Sequence, residues 1–211
     1  MKKIIEAAFN EINFPTLEQT FELLKSVTLK QSNGKYEVVS IQEIEEDLIV
    51  VYLEIENENF LLAIYLKKIF PFICVNILIE SGYDVYLVAT SKYKSYQEIL
   101  NLTQLKIKAS GWSINDVKEK RIMDFTSIKI KPTSETIPDI NYQLKCLVDL
   151  LLQNKVSIQH LSEITNCRIV IAAWHHIWRV SGFILSKELI QGLAEINIEL
   201  DYMQYVTAEV D

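Results

Sequence analysis

Three cysteines, three histidines and a dense run of carboxylates are the groups in this chain that could do acid, base, nucleophilic or metal chemistry. His175 and His176 stand side by side in AAWHHIWRVSG (Ala172–Gly182), between Trp174 and Trp178, with Arg179 just behind. On a β-strand, successive side chains point to opposite faces. Ile169, Ile171, Ala173, His175 and Ile177 then share one face, and Val170, Ala172, Trp174, His176 and Trp178 share the other. The paired histidines cannot chelate one ion together. A metal site would need one of them plus ligands from elsewhere; His160 is the third histidine, and no HExxH or Cys-pair zinc spacing occurs. Cys167 with either histidine could form a nucleophile–base pair, but nothing in the spacing brings them together. The run reads instead as a strand, buried on both faces near its start and emerging at a sheet edge near Arg179. Trp178 and Arg179 would form a rim there, of the residue types enriched in interface hot spots. No metal or other cofactor is implied.

The carboxylates are concentrated between Ile41 and Asn59, where Glu43, Glu45, Glu46, Asp47, Glu54, Glu56 and Glu58 occur without a lysine or arginine. Paired carboxylates serve as acid–base catalysts or hard-metal ligands when a pocket holds them. These fall at the ends of hairpins, where charge keeps strand edges soluble or steers a basic partner. From Lys92 to Lys131 the bias reverses, with nine Lys and Arg to four Asp and Glu. Tyr93, Tyr96 and Trp112 could act there as stacking groups for nucleic acid. The overall charge of −7 opposes that reading, and no RNA-module signature is present.

The elements that must position these groups follow from hydrophobic periodicity. Lys2–Asn13 reads as a helix, and Thr16–Val27 as a second one capped by Thr16. Ser32-Asn33-Gly34 marks a turn. Four β-rich runs follow, YEVVSI, DLIVVYLEI, NFLLAIYL and ICVNILI, separated by breaks short enough for an antiparallel meander. Beyond Ser81-Gly82 the order becomes strand (YDVYLVATSK), helix (SYQEILNLTQL), an irregular segment through Gly111-Trp112, and strand (FTSIKIKP). A loop from Pro132 to Pro138 leads to the helix NYQLKCLVDLLLQNK, striped by Leu144, Leu147, Val148 and Leu151, and a short helix SIQHLSEIT. The histidine strand, a helix capped by Ser186 and the strand IELDYMQYV complete the chain. The fold class is therefore α+β, helices packed on mixed or antiparallel sheets in a sandwich-like arrangement. Residues 1–82 and 83–211 are expected as two domains.

The 211 residues, 49% hydrophobic and 23% charged, are ordinary for a globular protein. Two lysines open the chain, but Glu6, Asn10, Glu11 and Asn13 interrupt the apolar stretch that a signal peptide would need. Phe60–Ile79 is split by Lys67, Lys68 and Pro71 and falls short of a membrane span. The odd cysteine count without CxxC spacing argues against a disulfide framework. A cytoplasmic protein with no membrane partner is expected. Gly-rich phosphate loops, GxSxG elbows and kinase or Rossmann signatures are missing from the sequence.

YDVYLVATSK followed by SYQEIL, then GWSI, and the later SGFILSKELIQGLAEINIELDYMQYV together resemble the bacterial domain-of-unknown-function family 4279. The resemblance runs from about Tyr83 to the end of the chain. About 80 amino-terminal residues lie outside it, and WHHIWRV departs from the more ordinary strand expected at that point. The resemblance implies a small α+β domain without established catalytic residues. It also implies kinship with stand-alone bacterial proteins among which immunity proteins for secreted toxins are common. The expected function is non-enzymatic protein binding, as an immunity protein against a toxin domain. A basic toxin domain would suit the acidic hairpins and the Trp178/Arg179 rim. The alternatives are an enzyme or small-ligand binder using the His175/His176 region, and a self-associating structural subunit.

Overall fold

A computed structural model describes residues 1–105, 109–132, 139–177 and 182–207. The amino-terminal part begins with helices α1 (Lys2–Asn13) and α2 (Glu18–Ser26). A small hairpin, β1 (Gln31–Ser32) and β2 (Lys35–Tyr36), turns through Asn33 and Gly34, both at positive φ. Strands β3 (Val38–Glu45), β4 (Leu48–Glu54), β5 (Leu61–Lys67) and β6 (Ile73–Glu80) then form a four-stranded antiparallel meander in chain order. Alternation along these strands sends Val51, Leu53, Leu62, Ile64, Leu66 and Ile77 to one face, where Ala8 and Ile12 of α1 complete the core.

Glu11 ties the two helices together. Its carboxylate is 4% exposed and sits against the entry to α2. It accepts bonds from the Thr16 hydroxyl (2.5 Å), the Thr20 hydroxyl (2.6 Å) and the amides of Thr16 and Leu17. Thr16 was expected to cap α2 itself. Leu17 stands at the N-cap position without a side-chain cap, because the Thr16 hydroxyl donates to Glu11 instead. The preceding helix thus supplies the anion that a helix amino terminus favours.

One residue, Ser81, separates β6 from β7 (Gly82–Ser91), so the chain passes directly from the first sheet into the second. The remaining elements are α3 (Tyr96–Thr103), β8 (Ala109–Trp112), β9 (Val117–Lys118), β10 (Arg121–Ile122), β11 (Thr126–Ile130), α4 (Ile140–Gln153), α5 (Lys155–Ile164), β12 (Asn166–His176), α6 (Lys187–Ile196) and β13 (Glu199–Thr207). The second sheet has the order β13-β12-β7-β11-β8. All its pairings are antiparallel except β12 with β13, which the helical crossover α6 makes parallel.

The segment through Gly111-Trp112, expected to be irregular, is the edge strand β8, followed by the β9–β10 hairpin. Its signal was masked because Gly111 replaces a β-former. A Cβ at Gly111 would lie 1.9 Å from the Ser127 carbonyl oxygen, so tertiary crowding selects glycine there over strand propensity. Most of Pro132–Pro138, expected as a loop, lies outside the described residues.

Helices α4, α5 and α6 cover one face of this sheet. The expected stripe of Leu144, Leu147, Val148 and Leu151 is buried with Ile158, Leu161, Leu189 and Ile196 against Val85, Leu87, Ile128, Ile130, Ile169 and Ile171. Ser186 caps α6 by accepting from the Leu189 amide. The architecture is α+β, helices layered on mixed and antiparallel sheets. Among the described residues, no helix is long and apolar enough to cross a membrane.

Candidate functional site

β12 lies between β7 and β13, in the interior of its sheet and not at an edge. It was expected to emerge at an edge because its last residues are aromatic and polar; the return of the chain through α6 to β13 covers that side. His175 and His176 are both buried and point to opposite faces. His175 Nδ1 shares a 2.6 Å hydrogen bond with the Ser81 hydroxyl, and its ring meets Tyr83 edge-on. Burial holds its pKa below the ordinary value of 6.5, so the imidazole is neutral at pH 7. Its Nε2 is buried without a hydrogen-bond partner among the described residues. His176 packs edge-on against Phe60 of the β4–β5 turn. The pair lie at the seam between the sheets: His175 bonds Ser81, the residue that joins β6 to β7, and His176 packs on the turn that carries Phe60.

Cys167 is at the other end of the same strand, eight residues from His175, which is about 26 Å at strand rise. A nucleophile–base pair of Cys167 with His175 or His176 is therefore excluded by geometry. Desolvation also pushes the Cys167 thiol up to about 12, so it stays protonated at neutral pH. Cys74 is likewise pushed up to about 12 by burial.

The acidic run is divided by the fold. Glu43, Glu45, Glu46 and Asp47 gather at the β3–β4 tip, and Glu54, Glu56 and Glu58 at the β4–β5 turn. The length of β4, about 20 Å, separates them. Part of the charge is neutralised locally. Lys68 pairs with Glu43, and Lys30 bridges Glu54 (2.8 Å) and Glu37 (3.0 Å). Glu45, Glu46 and Asp47 remain exposed at the tip, as does Glu56 at the turn. Trp178 and Arg179 lie outside the described residues.

The basic segment is likewise dispersed. Lys129 and Lys131 both pair with Asp84, at 2.6 and 2.8 Å. Lys118 lies over the Trp112 ring, and the Tyr96 hydroxyl donates to the Ala109 carbonyl. Tyr93 alone of the three suggested stacking residues is fully open, at 94% exposure. It lines a cleft of about 520 Å³ with Lys92, Phe125, Glu163 and Arg168. A second cleft, of about 670 Å³, runs between α1 and the β5–β6 loop, with Phe14, Phe70 and Phe72 on its walls.

The surface that sequence reasoning missed is the second face of the five-stranded sheet. Strand alternation sends Asp84 and Tyr86 of β7, Arg168 and Trp174 of β12, Asp201, Met203 and Tyr205 of β13, and Lys129 of β11 to the side opposite the helix-covered core. Trp174 and Tyr205 stack with ring centroids 5.4 Å apart and planes 15° from parallel. Lys129 Nζ stands 3.6 Å from the centre of the Tyr86 ring, and Arg168 approaches Asp201 at 3.6 Å. Val170 and Ala172 fill the floor between these larger side chains. The signal was present as period-2 alternation, but it needed the pairing of β12 with β13 to bring Trp174 beside Tyr205.

The family model for a domain of unknown function (DUF4279) matches residues 81–207, more than half of the chain. The chain belongs to this family. The match begins at Ser81, the His175 partner, and spans the whole five-stranded sheet with its helices, so the aromatic face and the seam histidines are features of the DUF4279 part. No curated protein and no solved structure matches the chain.

Proposed function

We propose that this DUF4279 protein is a non-enzymatic protein-binding protein of the bacterial cytoplasm, acting as an immunity protein that occludes a basic toxin domain. The observation that carries the reading is the second face of the five-stranded sheet. Its Trp174/Tyr205 stack, Tyr86 and Met203 supply rigid apolar contact, and Arg168, Asp84, Asp201 and Lys129 supply a polar frame. Trp, Tyr and Arg are the types that dominate binding energy at protein interfaces, and a sheet presents them with little entropy left to lose. The exposed carboxylates at the β3–β4 tip add long-range attraction for a basic partner.

Affinity purification of the tagged protein from its own host, with mass spectrometry of what co-elutes, tests this reading. A stoichiometric basic partner released by moderate salt is expected. Trp174→Ala should weaken that complex by about 2 kcal/mol, a roughly thirtyfold rise in Kd. Reversing Glu43, Glu45 and Glu46 to lysine should slow association and flatten its salt dependence. A captured partner indifferent to Trp174→Ala would remove the sheet face from the account.

A second reading, an enzyme or small-ligand binder using the His175 region, has one observation in its favour: the Ser81–His175 hydrogen bond beside a buried, unpartnered Nε2. Loss of a ligand-binding or turnover signal in His175→Gln, with folding intact, would favour it.

A further inference from the structure

Among the described residues the two larger sheets present four edges, and three are blunted. β3 is irregular between Val38 and Ser40 and again between Glu43 and Glu45. β6 is irregular where it faces Tyr65 and Leu66. β8 is only four residues long and contains Gly111. Short strands, bulges and charges are the devices by which natural sheets keep their edges from pairing. β13 is neither short nor bulged, and its charges are limited to the carboxylates of Glu199 and Asp201. It is the outermost strand, nine residues long, paired with β12 without a register shift, and it contains no proline and no lysine. Leu200 and Val206 are apolar and 38% and 52% exposed along it.

We infer that β13 is a self-association edge that pairs antiparallel with β13 of a second copy, joining two five-stranded sheets into one continuous sheet. The strand's own sequence, ELDYMQYVT, selects this occupant. A twofold pairing that uses all nine residues must be centred on Met203. Leu200 then faces Val206 of the other copy, Asp201 faces Tyr205, Tyr202 faces Gln204, and Glu199 faces Thr207. The directly opposed pairs are apolar, polar and uncharged (Tyr202 with Gln204), or place a carboxylate against a neutral residue, and no like charges meet. Sliding the register by four residues, to centre on Asp201, would set that carboxylate against itself, which opposed strands disfavour. Length therefore selects this register, and charge is compatible with it. The same pairing sets the two Trp174/Tyr205 faces side by side on one sheet.

Sedimentation velocity of the full chain tests the inference, with a mass twice the 24.5 kDa of the single chain as the expected result. Met203→Lys and Met203→Glu each place like charges opposite one another at the twofold centre. Each should weaken self-association by about fivefold or more. An equimolar mixture of the two should restore it, because lysine then faces glutamate, and this restoration separates a lost interface from a lost fold. A monomer at every attainable concentration would overturn the inference. So would a dimer unmoved by both variants, a mixture that fails to reassociate, or a foreign strand found cross-linked to β13 in place of a second copy.

Discussion

His175 is the residue with the sharpest consequence for solution behaviour. It is buried, bonded to Ser81 and held neutral by desolvation, so its folded pKa lies below 6.5. The unfolded chain therefore binds a proton at this position at a pH where the folded chain does not. Stability from this source is fully present above about pH 7 and is lost as pH falls through 6.5 toward the folded value. Urea midpoints measured across this range should decline on the acid side in the native sequence. The slope should be smaller in His175→Gln, which can keep a bond to Ser81 but cannot titrate. An unchanged slope would show that other groups carry the acid sensitivity.

At the scale of elements, the most informative contact is the one between α1 and α2. α2 is a nine-residue helix without a side-chain cap of its own, and isolated helices of that length are marginal in water. Glu11 compensates by taking bonds from Thr16, Leu17 and Thr20 while buried. Glu11→Ala leaves those donors facing an empty, poorly solvated site. A loss of about 3 kcal/mol is expected, read as a lower urea midpoint with early proteolytic cleavage around Pro15. Glu11→Gln, which keeps an acceptor, should cost less.

At the scale of the whole molecule, the two sheets meet where β6 runs into β7. A Cβ at Gly82 would lie 1.5 Å from the Asn59 carbonyl oxygen, and Phe60 packs on His176 beside it. The close approach is between backbones, so neither side can yield by a rotamer change. Gly82→Ala should therefore force the Asn59–Phe60 turn away from β12, destabilising by about 3 kcal/mol or more. Tryptophan fluorescence, to which Trp174 opposite Gly82 contributes, should shift with the same transition. If thermal melting of Gly82→Ala matches the native protein, the seam is looser than this packing implies.

Local patterning by itself determined the helices, the four-stranded meander and the opposite facing of His175 and His176, because periods of 3.6 and 2 depend only on neighbours in the chain. The leucine stripe of α4 and the Ser186 cap belong to the same class. Tertiary structure decided what depends on groups distant in sequence. It moved the Thr16 hydroxyl from a cap to a Glu11 donor, made a strand of the segment around Gly111, and enclosed β12 between β7 and β13. It also split the acidic run across the length of β4 and stacked Trp174 on Tyr205. Each of these rests on contacts between segments that no local window contains, where close packing and strand pairing override propensity.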